Sequence, residues 1–141
     1  MMVSTKGRYA LRVMLDLVQH QGDSFVSLKA IAGRQEISMK YLETIVAMLH
    51  KGGLIQSLRG KDGGYRLAQP PECYTVGRVL KLTEGSLAPV ACGECGGNNG
   101  KGKSCGRAES CLTLPLWNRL DSLIDGFLEN VTLADLLEQR V

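Results

Sequence analysis

One stretch of this chain cannot fold by packing. From Cys92 to Gly106 there are six glycines and no valine, isoleucine, leucine or phenylalanine. Four of the five cysteines fall in or just after it, spaced Cys92-x2-Cys95-x9-Cys105-x5-Cys111. A segment with no apolar side chains has nothing to bury, so whatever orders it must be something other than a core. Glycine leaves the backbone free to wrap, and thiolates close together are soft metal ligands. A bound metal is therefore the reading these residues favour, over a redox disulfide or inert thiols.

The chain around this loop is ordinary. Its 141 residues suffice for one domain with a core, or one domain with an appended helix. A hydrophobic content of 44% and a charged content of 22% are those of a globular protein, and no run long enough for a membrane span exists. Met1-Met-Val-Ser-Thr-Lys6 leads into a helical pattern with no secretion signal, which predicts a cytoplasmic protein with reduced thiols. No nucleophile–base pair, paired carboxylates or nucleotide-binding loop is present, so an enzyme is not expected. Gly60-x-x-Gly63-Gly64 lies in a hairpin pattern, not at the strand-to-helix junction that phosphate loops need.

Net charge is only +3, but its distribution is informative. Between Leu28 and Arg66 seven basic residues face three acidic ones, leaving the remainder slightly acidic. That concentration is the footprint of a nucleic-acid-facing module.

Helical periodicity runs from about Lys6 to Gln21, with Thr5 as the expected cap and Ala10, Val13, Met14, Leu17 and Val18 on one face. Phe25-Val26 is long enough only for a pairing stub. Ser27 is expected to cap a short helix to about Arg34. Ser38 then caps a longer one to about Lys51, with Leu42, Ile45, Val46 and Leu49 inward. Two helices across a short turn form a helix-turn-helix pattern. Gly52-Gly53 stops the second helix. Two strands follow, Leu54–Leu58 and Tyr65–Ala68, joined by the basic, glycine-rich Arg59–Gly64. This order predicts a winged helix, with Arg59 and Lys61 at the wing tip against DNA. Thr75 is expected to cap a helix from Val76 to about Leu82, and Cys73, apart from the other cysteines, reads as a small buried hydrophobe.

Beyond the cysteines, a long helix is predicted from Thr113 or Pro115 to about Asn130. Leu116, Trp117, Leu120, Leu123, Ile124 and Phe127, with Leu128, form a near-heptad stripe larger than one small domain needs. It predicts a dimerisation helix pairing with its twin, and packing back on its own domain is the competing reading. Thr132 is expected to cap a last helix, from Leu133 to about Gln139.

Assembled, the chain resembles the IscR-type iron–sulfur cluster regulators and, more loosely, the superfamily that also holds NsrR and CymR. The resemblance covers residues 2–137 and rests on specific marks. They are Ser4-Thr-Lys-Gly-Arg-Tyr-Ala10, Ile37-Ser-x-x-Tyr-Leu-Glu43, Arg59-Gly-x-x-Gly-Gly-Tyr65, Cys111-Leu-Thr-x-x-Leu-Trp117 and Asn130-x-Thr-Leu133. It implies a mostly α fold with a small β wing. A winged helix-turn-helix DNA-binding domain at 1–86 would be followed by a cluster loop at 87–111 and the dimerisation and terminal helices at 112–141. It also implies a homodimer on a two-half-site double-stranded DNA operator, with no membrane partner. The recognition helix would carry Ser38, Lys40, Tyr41 and Glu43, and the wing Arg59, Gly60 and Lys61.

The implied cofactor is a 2Fe-2S cluster and the implied targets are cluster-assembly genes, with cluster-assembly proteins as further candidate partners. The family arrangement is three cysteines five residues apart and then a histidine. Here the first interval is twelve residues and the histidine position is Leu114. Cys92, Cys105 and Cys111 are the expected core ligands. Cys95, Glu94, Glu109 or a group from a partner's first helix are candidates for the fourth. A structural zinc on the four cysteines is the alternative, and a small electron-transfer protein a third class.

Overall fold

The structure is a computed structural model and describes residues 3–91 and 105–141. Cys92, Cys95 and Glu94 lie outside the described residues. Helix α1 (Thr5–His20) is capped by Ser4, one residue before the predicted Thr5, through the Ser4 hydroxyl accepting from the Gly7 amide. Both the amide and the hydroxyl of Ser4 also donate to Glu84 Oε1, at 3.0 and 2.6 Å. That second use decides between the adjacent hydroxyls. Ala10, Val13, Met14 and Leu17 are fully buried, as their spacing predicts.

Ser27 and Ser38 cap α2 (Leu28–Gln35) and α3 (Met39–Lys51) by accepting from the Ala30 and Tyr41 amides. Between the two helices the chain turns through Glu36, whose φ of 55° is left-handed, and drops Ile37 into the core. Leu42, Ile45, Val46 and Leu49 line the inner face of α3. Gly53, with φ 74°, takes the left-handed position that ends α3 and turns the chain into a hairpin.

The hairpin pairs β1 (Ile55–Leu58) with β2 (Gly64–Leu67), antiparallel, from Ile55↔Leu67 to Leu58↔Gly64. Val26 adds an isolated bridge on the other side of β2, exchanging two 2.8 Å hydrogen bonds with Tyr65. This is the predicted stub, and it ties the wing back to the segment before α2. Gly64 is what lets it close, because a Cβ there would collide with the Val26 carbonyl.

Pro71–Cys73 forms a 3-10 turn. It carries Tyr74 into the core, where the fully buried ring donates from its hydroxyl to the Leu54 carbonyl at 2.7 Å and accepts from the Gln69 amide at 2.9 Å. Cys73 is exposed, contrary to the buried position expected of it, because Tyr74 takes the inward place. Thr75 caps α4 (Val76–Glu84), which packs along α1.

Helix α5 (Leu114–Glu129) follows, and α6 (Leu133–Leu137) opens with a capping box between Thr132 and Asp135. The chain ahead of α6 bonds back to the start of α4, through Val76 N–H to Val131 at 2.8 Å and Leu133 N–H to Tyr74 at 3.0 Å. Leu133 is buried in the same core as α1–α3, so both ends of α5 are tied to the winged-helix body or its loop.

Candidate nucleic-acid interface and cysteine loop

Burying one face of α3 dictates what the other presents. With Leu42, Ile45, Val46 and Leu49 inward, the exposed residues are Met39, Lys40, Glu43, Thr44, Ala47, His50 and Lys51. Lys40 and Glu43 were expected there. Thr44 and Ala47 were not singled out from the sequence, although the same period that buries Leu42 and Ile45 turns them out. Ser38 lies exposed at the head of the helix with its hydroxyl engaged as the cap.

Tyr41 is half-buried. Its ring meets Tyr9 of α1 edge-on at 5.7 Å, and the Arg12 guanidinium lies 5.0 Å over the Tyr9 ring. Whatever else Tyr41 does, it braces α3 against α1.

Arg59, Gly60 and Lys61 are exposed at the wing tip. Gly60 has φ 115°, which only glycine adopts readily, and its carbonyl accepts from the Gly63 amide at 3.1 Å to close the turn. Between wing and recognition helix runs an open groove of about 450 Å³, lined among others by Glu43, Ala47, His50, Ser57, Arg59 and Gly60. His50 Nε2 lies 3.3 Å from the Ser57 hydroxyl and joins the two walls. Among the described residues Lys40, Lys51, Arg59 and Lys61 enter no ion pair, so their charge is available to an anion.

The first helix of the helix-turn-helix is held against α1 by a buried carboxylate. Asp16 of α1 is fully buried and receives a two-pronged contact from Arg34 of α2, at 2.7 and 3.0 Å, and a third bond from Gln35 Nε2 at 2.9 Å. His20 Nδ1 stands 3.7 Å away. Burial alone would raise the Asp16 carboxyl, but the hydrogen bonds from Arg34 and Gln35, with the charges of Arg34 and His20, outweigh it. They hold the group below the usual carboxylate range. Beside this clamp, Arg12 Nε donates to Gln35 Oε1 at 3.0 Å and its Nη2 to the Gln35 carbonyl at the end of α2.

In the cysteine loop, Cys105 and Cys111 flank a 3-10 turn at Ala108–Ser110 just ahead of α5. The Cys111 thiol is drawn below its ordinary pKa, first by the Thr113 hydroxyl at 3.4 Å and then by the Thr113 and Leu114 amides and the charge of Arg107. A thiol whose ionisation is eased in this way, just ahead of a helix, suits a metal ligand. Leu114, at the family's histidine position, is the first residue of α5 and supplies no donor side chain. Among the described residues no three metal-ligating side chains gather, and Cys73 stands apart.

Helix α5 has no fully buried residue. Leu116, Leu120, Leu123 and Phe127 are 57%, 37%, 55% and 59% exposed, and Trp117 and Ile124 are partly so. Its far end is clasped to α4. Lys81 bridges Asp125 and Glu129, the latter at 2.7 Å, and the Thr75 hydroxyl donates to Glu129 at 2.8 Å. Leu128 packs beside the Val76, Leu80 and Leu87 cluster. Away from that anchor Leu116, Leu120, Leu123 and Phe127 are left exposed by the described residues. No helix among the described residues is long and apolar enough to cross a membrane.

The comparisons with known proteins agree with this geometry. The Rrf2 family, described as iron-dependent transcriptional regulators, matches residues 3–139. The chain is 41% identical to the HTH-type transcriptional regulator IscR of Photobacterium profundum, over 99% of this chain and 77% of that one. With IscR of Vibrio cholerae it shares 40% identity over 97% and 75%. Among solved structures, T. potens IscR is 38% identical with a TM-score of 0.76, covering all of this chain and 89% of that one. CymR, the global cysteine regulator of B. subtilis, is 33% identical with a TM-score of 0.78 over 99% and 98%. A mostly helical chain with a helix-turn-helix, a two-stranded wing and a long C-terminal helix, matched almost end to end by such regulators, is a member of the Rrf2 family of transcriptional regulators.

Proposed function

We propose that this regulator is a cytoplasmic homodimer that binds a two-half-site operator and whose operator occupancy follows a 2Fe-2S cluster held on its cysteine loop. Cluster-assembly genes are its proposed targets. The observation that carries the reading is the position of Cys111. It lies just ahead of α5, and the other end of that helix is clasped through Lys81, Asp125 and Glu129 to α4 of the winged-helix body. A change of state at the loop is thereby coupled to the element that would set the spacing of two recognition helices. Cys92, Cys105 and Cys111 are the proposed ligands, with Cys95 as a candidate for the fourth. When bound, the cluster supplies a centre sensitive to oxidant and to iron and sulfide supply. The protein's part is to present a sulfur whose ionisation its neighbours ease and to transmit the state of the loop into α5.

On the DNA side, Ser38, Lys40, Tyr41 and Glu43 would enter the major groove, and Arg59, Gly60 and Lys61 would follow the backbone into the adjacent minor groove. A carboxylate at Glu43 accepts from a cytosine amino group and is repelled by guanine acceptors, so it selects among sites as well as binding them. Leu116, Trp117, Leu120, Leu123, Ile124 and Phe127 would pair with their copies across a two-fold axis. Arg59→Ala is expected to weaken operator binding roughly fivefold to tenfold and to lower the slope of log affinity against log salt by about one, measured by fluorescence anisotropy.

The Cys92-x2-Cys95 spacing, with no histidine following residue 50, favours one second reading, a zinc held by the four thiolates as a permanent brace. Protein purified without oxygen separates the two. The cluster reading expects a brown protein with visible absorption bands and about two irons and two acid-labile sulfides per subunit. A colourless protein with about one zinc would replace it with the brace.

A further inference from the structure

Two short side chains stand at the centre of the recognition face. Thr44 and Ala47 are both exposed, one turn apart, between Lys40 and Glu43 on one side and Lys51 on the other. Ala47 also lines the groove shared with the wing. The Thr44 hydroxyl donates to the Lys40 carbonyl of its own helix at 3.4 Å, which engages its proton and leaves the methyl as the apolar group it offers a ligand. Long polar residues at these two positions would hold the helix off the floor of a groove. A threonine and an alanine let the helix axis approach, with lysines before and after them to reach phosphates.

Resting on the operator-binding reading above, we propose that the Thr44 and Ala47 methyls determine specificity by van der Waals contact with the C5-methyl groups of thymines in each half-site. Thymine presents the one apolar group in the major-groove code, and small aliphatic side chains are its complement. Glu43, beside them, supplies the polar half of the selection. A half-site read this way pairs a cytosine near Glu43 with one or two thymines near Thr44 and Ala47.

The test begins with an operator selected by the full-length protein from random duplexes. Each thymine is then replaced singly by deoxyuridine, which removes the C5-methyl and leaves base pairing intact. At one or two positions per half-site this should weaken the wild-type protein about fourfold, the worth of one buried methyl group. Thr44→Ser, which keeps the hydroxyl and loses the methyl, should bind thymine and deoxyuridine equally at one such position. Thr44→Val, which keeps a methyl and loses the hydroxyl, should retain the discrimination. Ala47→Gly, its folding checked by circular dichroism, should erase the effect at the second position.

If no deoxyuridine effect disappears in Thr44→Ser or Ala47→Gly, the inference is overturned while operator binding stands. If Thr44→Val loses discrimination that Thr44→Ser keeps, the contact is through the hydroxyl and the inference is likewise wrong. Failure to select any operator would overturn the operator-binding reading itself.

Discussion

Replacing Arg34 with methionine should destabilise the protein by about 3 kcal/mol and lower Tm by roughly 10 °C, measured by thermal unfolding at pH 7. Arg34 is the larger part of what makes a charge at Asp16 tolerable, because it donates twice to a carboxylate with no solvent exposure. Gln35 and His20 remain near the orphaned group, and protonation offers it an escape, so the cost falls at the low end of that for a broken buried pair. The same clamp predicts an acid limb. Because the folded Asp16 carboxyl is held below its unfolded value of about 3.9, its stabilisation is fully present above that value. It is lost as pH falls through 3.9 toward the lower folded pKa. Asp16→Asn should flatten this limb and lower stability at pH 7. Both substitutions loosen α2 against α1, so they should also weaken operator binding through the turn that aims α3.

Leu116→Glu with Phe127→Glu should convert a dimer into a folded monomer. Both side chains are more than half exposed in the single chain, so their loss takes little from its own core, and circular dichroism should be unchanged. Across a two-fold axis each substitution counts twice. Four apolar side chains at about 2 kcal/mol each amount to roughly 8 kcal/mol, before the repulsion of four carboxylates. Sedimentation should show a monomer at micromolar concentration. Operator affinity should fall on the order of a hundredfold to ten-thousandfold, because the second half-site is no longer engaged by a linked partner. A variant that stayed dimeric would mean that the α5 face has another use.

Much of this fold is legible locally. Ser27, Ser38, Thr75 and Thr132 each cap the helix their position predicts, and the apolar face of α3 is buried residue for residue. Such features depend on neighbours within a turn, and periodicity records them. What fails is what depends on a distant partner. Ser4 displaces Thr5 as a cap because Glu84, eighty residues away, also bonds to it. Cys73 is exposed because Tyr74 fills the place beside Leu54 and Gln69.

The candidate site divides the same way. The basic wing and the capped recognition helix stand out in sequence. The clamp from Asp16 to Arg34 joins residues eighteen apart on different helices, and no local period links them. On α5 the opposite holds, since its apolar stripe is plain in the sequence while the described residues leave much of it exposed.

In the proposed function the state of the cysteine loop sets operator occupancy. That dependence is tested by the affinity of one protein preparation for each of several selected operators, measured anaerobically at fixed salt before and after the cluster is removed by oxidation and chelation. The two affinities should differ by tenfold or more on at least one operator, and Cys111→Ala protein should behave as the cluster-free form. Equal affinities on every operator, with iron and sulfide confirmed present in one sample and absent from the other, would contradict it.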